Sequence, residues 1–453
     1  MSLVERITEE IRQEIATLGL RPGTPLRSVR ELSRHRHISQ STAADVYSAL
    51  VAAGVVEARK GTGHFVARQQ RSPRRPTKAE SAADSLWTER EQATLQHIEV
   101  DAGCGWLPAG WLSGDALRSA MRRVARLEDI DPNGYGNPYG LPELRAHLAA
   151  ALESRNIEAT EQQIVLTHGA TQALDLLMRI LLRPGDLVIV EEPGYPPLFE
   201  MLRTLGVRLL AVPRTEIGPD VDVLARHLRR ARPKVLFTNT TLQNPTGTTT
   251  SAAVAHRLLE LADRHDFQIV EDDIFGQLTP GTPSTLASLD QLRRVAYVTS
   301  FSKTISPSLR LGYVAGSAAT AKMLARAKST LSLASSELTE HIALNILAHR
   351  SHRRRLDALR RRLDRAQLEI APRLEAAGVK LSYRPASGMF LWGEISSAEP
   401  VTKLWRRAAA EGLLLAPGEL FLPQSRPTNF WRFNVAHCDS PRLMEFLQKV
   451  ARR

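Results

Sequence analysis

From residue 164 onward the chain alternates short apolar runs with helix-like stretches, and no other feature restricts its fold as much. Ile164 to Thr167, Leu187 to Glu191, Arg208 to Val212, Val235 to Thr238, Gln268 to Glu271 and Val295 to Thr299 each read as a short strand. Strands that recur between helical stretches are joined by crossovers, which place them in a mostly parallel sheet covered by helices. In open α/β sheets of this kind, ligands gather beyond the carboxyl ends of the strands. No tandem repeat with a period of roughly 20 to 50 residues competes with this reading.

Five of these strand ends carry polar or aromatic groups. Thr167 leads into His168-Gly169-Ala170-Thr171-Gln172, which opens a helix whose free amides and dipole make a seat for phosphate. Val190 leads into Glu191-Glu192-Pro193-Gly194-Tyr195, presenting an aromatic plane. Thr238 is followed by Asn244-Pro245-Thr246-Gly247, and Val270 by Glu271-Asp272-Asp273. Val298 empties into Thr299-Ser300-Phe301-Ser302-Lys303, with Arg310 one loop further on. A lysine at such a mouth can form an imine with a carbonyl once its surroundings lower its pKa. Neighbouring hydroxyls and an arginine suit a phosphate. An aldehyde that also carries a phosphate is pyridoxal 5′-phosphate. Singly, each group has a blander explanation: Tyr195 as core packing, Asn244-Pro245 as a turn, the Asp pair as a solvated edge, Lys303 as a surface residue. Their order and placement together argue for a site.

The first 68 residues form a separate unit. Val4, Ile7, Ile11 and Ile15 recur at helical spacing, and the helix they define stops near Gly19. Pro22, Gly23 and Pro25 force a turn, and Ser28-Val29-Arg30-Glu31 is a capping box for a second helix. Ser39 caps a third, with Ala43, Val46, Tyr47 and Leu50 as its buried face and Gly54 at its end. Val55 to Arg59 and His64 to Ala67 alternate around Lys60-Gly61-Thr62-Gly63 as a hairpin. Three short helices and a hairpin make a winged helix-turn-helix. Residues 69–97, basic and proline-bearing and then rich in Ala, Ser and Glu, read as a linker. A loop over Asp131 to Pro142 enters a helix over Glu143 to Leu152. The basic run His352 to Arg355 with Arg360 to Arg362 reads as a solvated helix face, an auxiliary DNA contact being the lesser alternative.

Composition narrows the setting. A chain of 453 residues, 43% of them hydrophobic, has room for two or three globular domains. No apolar run approaches the roughly 18 residues a spanning helix needs, so no membrane partner is expected. Met1-Ser2-Leu3-Val4-Glu5-Arg6 lacks a signal-peptide pattern, and the two distant cysteines, Cys104 and Cys438, fit a reduced cytoplasm. No metal is called for. A net charge of +12 and a pI near 10.1 point toward a polyanion, although arginine enrichment in a GC-rich genome produces the same balance.

Residues 1–68 resemble the GntR family of bacterial regulators, which carry a Leu-Pro-Ser-x-Arg-x-Leu-type second helix and a Gly-Ser-Gly-x-Phe-Val wing. Here these read Leu26-Arg27-Ser28-Val29-Arg30-Glu31-Leu32 and Gly61-Thr62-Gly63-His64-Phe65-Val66. The resemblance implies that Arg30 meets phosphate and that Gln40, Ser41 and Thr42 open a recognition helix in the major groove of double-stranded DNA. The wing, Gly61, Thr62 and Gly63, would lie in or over the minor groove, with Arg59 and Lys60 adding charge. Gln40 stands where arginine is common, and glutamine favours adenine over guanine, so a different operator is expected. A winged helix serving protein contacts only is the lesser reading.

Along roughly residues 100–450 the chain resembles the fold-type I aminotransferases, through Asn-Pro-Thr-Gly at 244–247 and Ser-x-Ser-Lys at 300–303 with Arg310 after it. The resemblance implies that Lys303 holds pyridoxal phosphate as an internal aldimine and that Asp272 pairs with the pyridine nitrogen, keeping it protonated. Asn244 would donate to the phenolic oxygen and Tyr195 stack on the ring. Ala170, Thr171, Ser300, Ser302 and Arg310 would hold the phosphate, with Tyr135 of the partner subunit reaching over. Arg432, in Trp431-Arg432-Phe433-Asn434, would grip the α-carboxylate of an amino-acid effector. The family usually keeps a tyrosine two or three residues after the ring-nitrogen aspartate. Ile274 and Phe275 stand there instead. The missing hydroxyl puts efficient transamination in doubt without preventing cofactor binding.

Head and body together resemble the MocR subfamily of GntR regulators. The implied fold is α/β: a winged helix-turn-helix (1–68), a linker (69–97) and an aminotransferase-like domain (98–453). That domain has a mostly parallel central sheet in a large part, about 135–330, and a smaller α+β part from about 98–130 and 340–453. The implied function is transcriptional regulation by a cytoplasmic homodimer on paired half-sites. It would sense pyridoxal phosphate, or an amine or amino acid, through the aldimine at Lys303. The alternative is a working aminotransferase with an accessory DNA-binding domain, residual half-reactions being compatible with either. A cofactor store is a third, lesser idea.

Overall fold

Val4, Ile7 and Ile11 fall on one side of helix α1 (Leu3–Thr17) and pack with Leu32, Ala43, Val46, Tyr47, Leu50 and Val56 into a small core. Leu32 belongs to α2 (Val29–Arg36). The Ser28 hydroxyl accepts from the Glu31 amide at 3.3 Å, and the Glu31 carboxylate accepts from the Ser28 amide at 2.8 Å. This is the anticipated capping box, and such a cap stabilises a helix by about 1 kcal/mol. Ser39 caps α3 (Gln40–Ala52) through the Thr42 amide at 3.0 Å. Strands β1 (Val56–Arg59) and β2 (Gly63–Val66) pair antiparallel, with Arg59 opposite Gly63. Gly63 sits at φ 110°, a conformation glycine adopts without a Cβ penalty. The His64 ring stacks on Tyr47 at 4.1 Å and ties the hairpin to α3.

The structure is a computed structural model that describes residues 3–17, 23–59, 63–67, 98–128, 130, 133–279, 281 and 283–451, and its two compact units are Met1–Lys78 and Ala79–Arg453. The side chain of Ile15, residues Gly19, Pro22, Lys60, Gly61 and Thr62, the stretch 69–97, and Asp131 and Pro132 lie outside the described residues.

In the second unit the six apolar runs are strands β3 (Ile164–Thr167), β4 (Leu187–Glu192), β5 (Arg208–Thr215), β7 (Val235–Thr238), β8 (Gln268–Asp272) and β9 (Val295–Ser300). With β6 (Gly218–Pro219) and β10 (Gly312–Ala315) they form one eight-stranded sheet in the order β3-β10-β9-β8-β7-β4-β5-β6. Neighbours from β5 through β9 are parallel, whereas β10 runs antiparallel between β9 and β3. Successive side chains point to opposite faces. Ile189, Leu236, Ile269 and Val295 enter one core, and Val188, Val235, Phe237, Val270 and Val298 enter the other. Helices cover both faces, which is why the strands read as nearly continuous apolar runs.

A second, antiparallel sheet consists of β11 (Val379–Leu381), β12 (Phe390–Ile395), β13 (Ala416–Pro417) and β14 (Phe430–Asn434) in the order β11-β12-β14-β13. Leu391 and Phe433 from this sheet meet Leu363 and Leu374 of the helix Ser351–Ala376 in its core. Arg353, Arg354, Arg361 and Arg362 of the basic run are exposed on that helix, and the Arg362 guanidinium lies 4.3 Å from the Trp111 ring centre. The segment before residue 108 is stitched to the sheet: the Gly103 amide donates to Leu414 O at 2.6 Å, and the Asn434 amide to Ala102 O at 2.7 Å. A Cβ at Gly103 would stand 2.2 Å from the Ala416 nitrogen, so only glycine passes there. Among the described residues no helix is long and apolar enough to cross a membrane.

Candidate functional site

The strand ends converge as their order suggests. Tyr195 after β4, Asn244 after β7, Lys303 after β9 and Arg432 on β14 line one cleft of about 330 Å³. Asp272, at the end of β8, shares an adjoining hollow with Tyr195 and Asn244. The half-buried Lys303 amine donates to Gly105 O at 2.7 Å. Burial, together with the positive charge of Arg432, pushes its pKa down to about 8. Burial raises the Asp272 carboxyl to about 7, against the opposing pull of the Ile274 amide, 3.2 Å from Oδ1, and of the Lys303 charge.

Asp272 is the last residue of β8, and Asp273, just beyond it, points elsewhere. The Asp273 carboxylate is fully buried away from the cleft, accepting from the Tyr297 hydroxyl and from Arg155, each at 2.7 Å. Asn239 ties Asp272 to Asn244: its Nδ2 donates to Asp272 O at 2.6 Å, and its Oδ1 accepts from the Asn244 amide at 2.8 Å. The loop carrying both asparagines is bolted to the end of β4 by Glu191. That carboxylate accepts from Arg214, Thr238, Gln243 at 3.1 Å and the Asn239 amide at 3.2 Å. Removing either Glu191 or Arg214 would strand a buried charge, a loss of roughly 3–5 kcal/mol. Sequence reasoning missed Asn239, Gln243 and Arg214, because their partners lie on other strands and no local spacing announces them.

The expected phosphate residues meet at one end of the sheet because β10 lies between β3 and β9. Gly312 pairs with both Thr167 and Ser300. This register brings Arg310 beside Gly169, the first residue of the helix Gly169–Leu181, so that Nη2 donates to His168 O at 3.4 Å. Gly169 is at φ 76°, and a Cβ there would stand 3.1 Å from Arg310 Nη2. Ala170 and Thr171 follow in the first turn of that helix. The Ser300 hydroxyl donates to Leu311 O at 3.1 Å and accepts from the Ser302 amide at 3.3 Å. Tyr135 is 81% exposed and does not line the cleft of its own chain. Ile274 and Phe275 both line the cleft, with Phe275 edge-on to Phe390 at 5.5 Å, so the usual tyrosine position carries a hydrocarbon wall.

Arg432 is 5% exposed and held from several sides. Nη1 donates to Asn244 Oδ1 at 2.8 Å and Nη2 to Gly103 O at 2.6 Å, while its guanidinium carbon lies 4.5 Å from the Phe390 ring centre and 4.8 Å from that of Phe421. Packing of this kind fixes a planar fork suited to a carboxylate. The donor set also fits pyridoxal phosphate: an amine with a lowered pKa, a half-buried carboxyl, an aromatic plane, and a helix start with a guanidinium beside it.

In the first unit Arg30, Gln40 and Ser41 are exposed and Thr42 is half-buried. The Ser41 and Thr42 hydroxyls each lie 2.7 Å from Ser39 Oγ, which tightens the first turn of α3. The Arg59 Nε donates to Glu57 at 2.9 Å and its guanidinium lies over Phe65 at 4.4 Å, so its charge is shared with a carboxylate. Gly63 is exposed at the start of β2, whereas Lys60, Gly61 and Thr62 lie outside the described residues.

Residues 105–450 match the family "Aminotransferase class I and II", and residues 3–66 match "Bacterial regulatory proteins, gntR family". A 2-aminoadipate transaminase of Thermus thermophilus is 31% identical over 358 residues, 77% of this chain and 88% of its own length. The probable rhizopine catabolism regulatory protein MocR of Rhizobium meliloti is 28% identical over 430 residues, 91% of this chain and 85% of its own. Among solved structures, LysN, the α-aminoadipate aminotransferase of Thermus thermophilus complexed with N-(5′-phosphopyridoxyl)-L-leucine, superposes with a TM-score of 0.72. It is 29% identical and covers 81% of this chain and 93% of its own. The chain therefore belongs to the class I and II aminotransferases, with a pyridoxal-phosphate fold of type I, and its gntR head makes it a GntR regulator of the MocR type.

Proposed function

We propose that the protein is a cytoplasmic transcriptional regulator that holds pyridoxal phosphate at Lys303. Its grip on an operator would change when that cofactor, or an amine or amino acid joined to it, occupies the cleft. The observation that carries this reading is the pairing of Arg432 with Asn244, 2.8 Å apart, in the cleft that Lys303 also lines, within a chain that begins with a gntR head. When bound, the cofactor supplies an electrophilic carbonyl and an electron sink. The chain's own residues supply the rest. The lowered pKa of Lys303 leaves part of its amine neutral, and hence nucleophilic, near neutral pH. Asp272 holds a negative charge against the ring nitrogen, and the helix start at Gly169 with Arg310 receives the phosphate. Asn244 donates to the phenolic oxygen, and Arg432, braced by Asn244, fixes the effector carboxylate and so orients its amine.

In this reading residues 1–68 are the DNA head, 69–97 a tether, and 98–453 the sensor. Tyr135 of the partner subunit completes the phosphate seat in a homodimer, which sets two heads on paired half-sites. Occupancy shifts the population between two arrangements of the body and so biases the heads. A working aminotransferase is the second reading, favoured by the full set Lys303, Asp272, Asn244 and Arg432. The hydrocarbon wall at Phe275 weighs against it.

The test is spectroscopic. Wild-type protein dialysed after incubation with pyridoxal phosphate should keep the cofactor's visible band, and Lys303→Ala should lose it. A band retained by Lys303→Ala contradicts the assignment. Steady turnover of amino donors with a keto acid, without any ligand effect on DNA binding, would favour the enzyme.

A further inference from the structure

We propose that the effector selected by this cleft is an α-amino acid with an uncharged, apolar side chain of leucine to phenylalanine size. The inference rests on the reading above, in which Lys303 takes the cofactor and Arg432 the α-carboxylate. Among the described residues lining the cleft, those two cations are the charged ones. Much of the remaining wall is hydrocarbon: Trp106, Ile274, Phe275, Leu420 and Phe421. Phe275, Leu420 and Phe421 are buried, and Trp106, 41% exposed, is the part of the wall that meets solvent.

The charges decide what this wall refuses. An acidic side chain would need a second cation. Arg432 already bonds Asn244 and Gly103 through its terminal nitrogens, with Phe390 and Phe421 against its guanidinium. A carboxylate entering without a partner loses its hydration uncompensated. A basic side chain would find no acid among the described lining residues to pair with, and would lose its hydration uncompensated. Asp272 belongs to the adjoining hollow and is committed to the ring nitrogen. In the loop expected from the partner, residues 131–142, Asp131 is the one charged residue, and it lies four positions before Tyr135, the residue expected at the site. An apolar side chain, by contrast, removes water from its own surface and from the wall, and aromatic contacts add specificity.

Full-length protein loaded with pyridoxal phosphate should be titrated with L-phenylalanine, L-leucine, L-glutamate and L-lysine. The visible band and the heat of binding should be followed in parallel. Phenylalanine and leucine are expected to half-saturate at concentrations at least about tenfold below glutamate and lysine. Trp106→Ala should weaken phenylalanine about three- to tenfold and leave the glutamate response unchanged. Glutamate or lysine binding as tightly as phenylalanine, an equal loss for all four in Trp106→Ala, or no response to any of the four overturns the inference. The reading of Lys303 as cofactor holder survives all three results, and fails separately if Lys303→Ala keeps the band.

Discussion

Arg432 Nη1 donates to Asn244 Oδ1 at 2.8 Å, joining β14 of the four-stranded sheet to the loop after β7 of the eight-stranded one. The second terminal nitrogen reaches Gly103 O, so the guanidinium is held by two distant parts of the chain as well as by the rings of Phe390 and Phe421. Its orientation is thus set before any ligand arrives, which lowers the entropy cost of binding a carboxylate.

Arg432→Ala should therefore weaken the response to carboxylate-bearing effectors by roughly ten- to a hundredfold, since a hydrogen bond to a charged group is worth about 1.5–3 kcal/mol. Uptake of pyridoxal phosphate should be spared. Arg432→Lys should recover only part of the loss, because an ammonium lacks the planar fork. Titration of the visible band with amino acids checks both variants, and equal loss of cofactor and effector binding would place Arg432 elsewhere in the chemistry.

The pH dependence of cofactor capture has a definite sign. An unshifted lysine amine loses its proton near pH 10.5, whereas Lys303 does so at about 8. Its neutral fraction, and with it the rate at which cofactor-free protein develops colour, should rise from pH 7 and level off above about pH 9. Asp272, raised to about 7, acts in the same direction, because its ionised form pairs with the ring nitrogen. The depressed lysine pKa also means that the cofactor-free fold gains stability between about pH 8 and 10.5 and has lost that contribution below. Stopped-flow absorbance across this range gives the rates; a rise that continues to pH 10.5 would show an ordinary lysine.

Phe275→Tyr would restore a hydroxyl donor to the cleft. Phe275 is 2% exposed and packs edge-on against Phe390 in the cleft wall. A hydrogen bond to a charged oxygen is worth about 1.5–3 kcal/mol, equivalent to about one to two pKa units. The pH at which the bound cofactor's visible band changes should fall by about that amount, and any transaminase half-reaction should quicken. An unchanged spectrum with a stable fold would show that the hydroxyl does not reach the cofactor.

Much of this was legible in the sequence, and the rest has physical reasons for being hidden. The strands β3, β4, β5, β7, β8 and β9 announced themselves because burial on both faces demands unbroken apolar runs. The strand β10, Gly312–Ala315, did not: it follows the Lys303 loop closely, runs antiparallel, and has no helix to set it apart. Yet β10 is what brings Arg310 to Gly169. The motif residues Asn244, Asp272, Lys303 and Arg432 could be named from local patterns. Asn239, which ties Asp272 to Asn244, and Gln243 and Arg214, which brace that loop through Glu191, could not, because each acts through a partner on another strand. The carbonyls of Gly103 and Gly105, met by Arg432 and Lys303, carry no sequence signal.

In the head, Arg30→Ala should weaken DNA binding for all sequences and reduce the slope of log affinity against log salt by about one. Gln40→Ala should instead relax discrimination at a single adenine by about 1–3 kcal/mol with little change in salt slope. Fluorescence anisotropy on operator and scrambled DNA at several salt concentrations separates the two effects, and a matching loss in both variants would mean that neither reads the DNA as proposed.

The most direct measurement is the affinity of the full-length protein for its own promoter DNA, taken without cofactor, with pyridoxal phosphate, and with pyridoxal phosphate plus L-phenylalanine, in wild type and in Lys303→Ala. Wild type should change affinity by about fivefold or more between these states, a coupling of about 1 kcal/mol, and Lys303→Ala should not respond. Identical affinity in every state would contradict a regulator governed through this lysine.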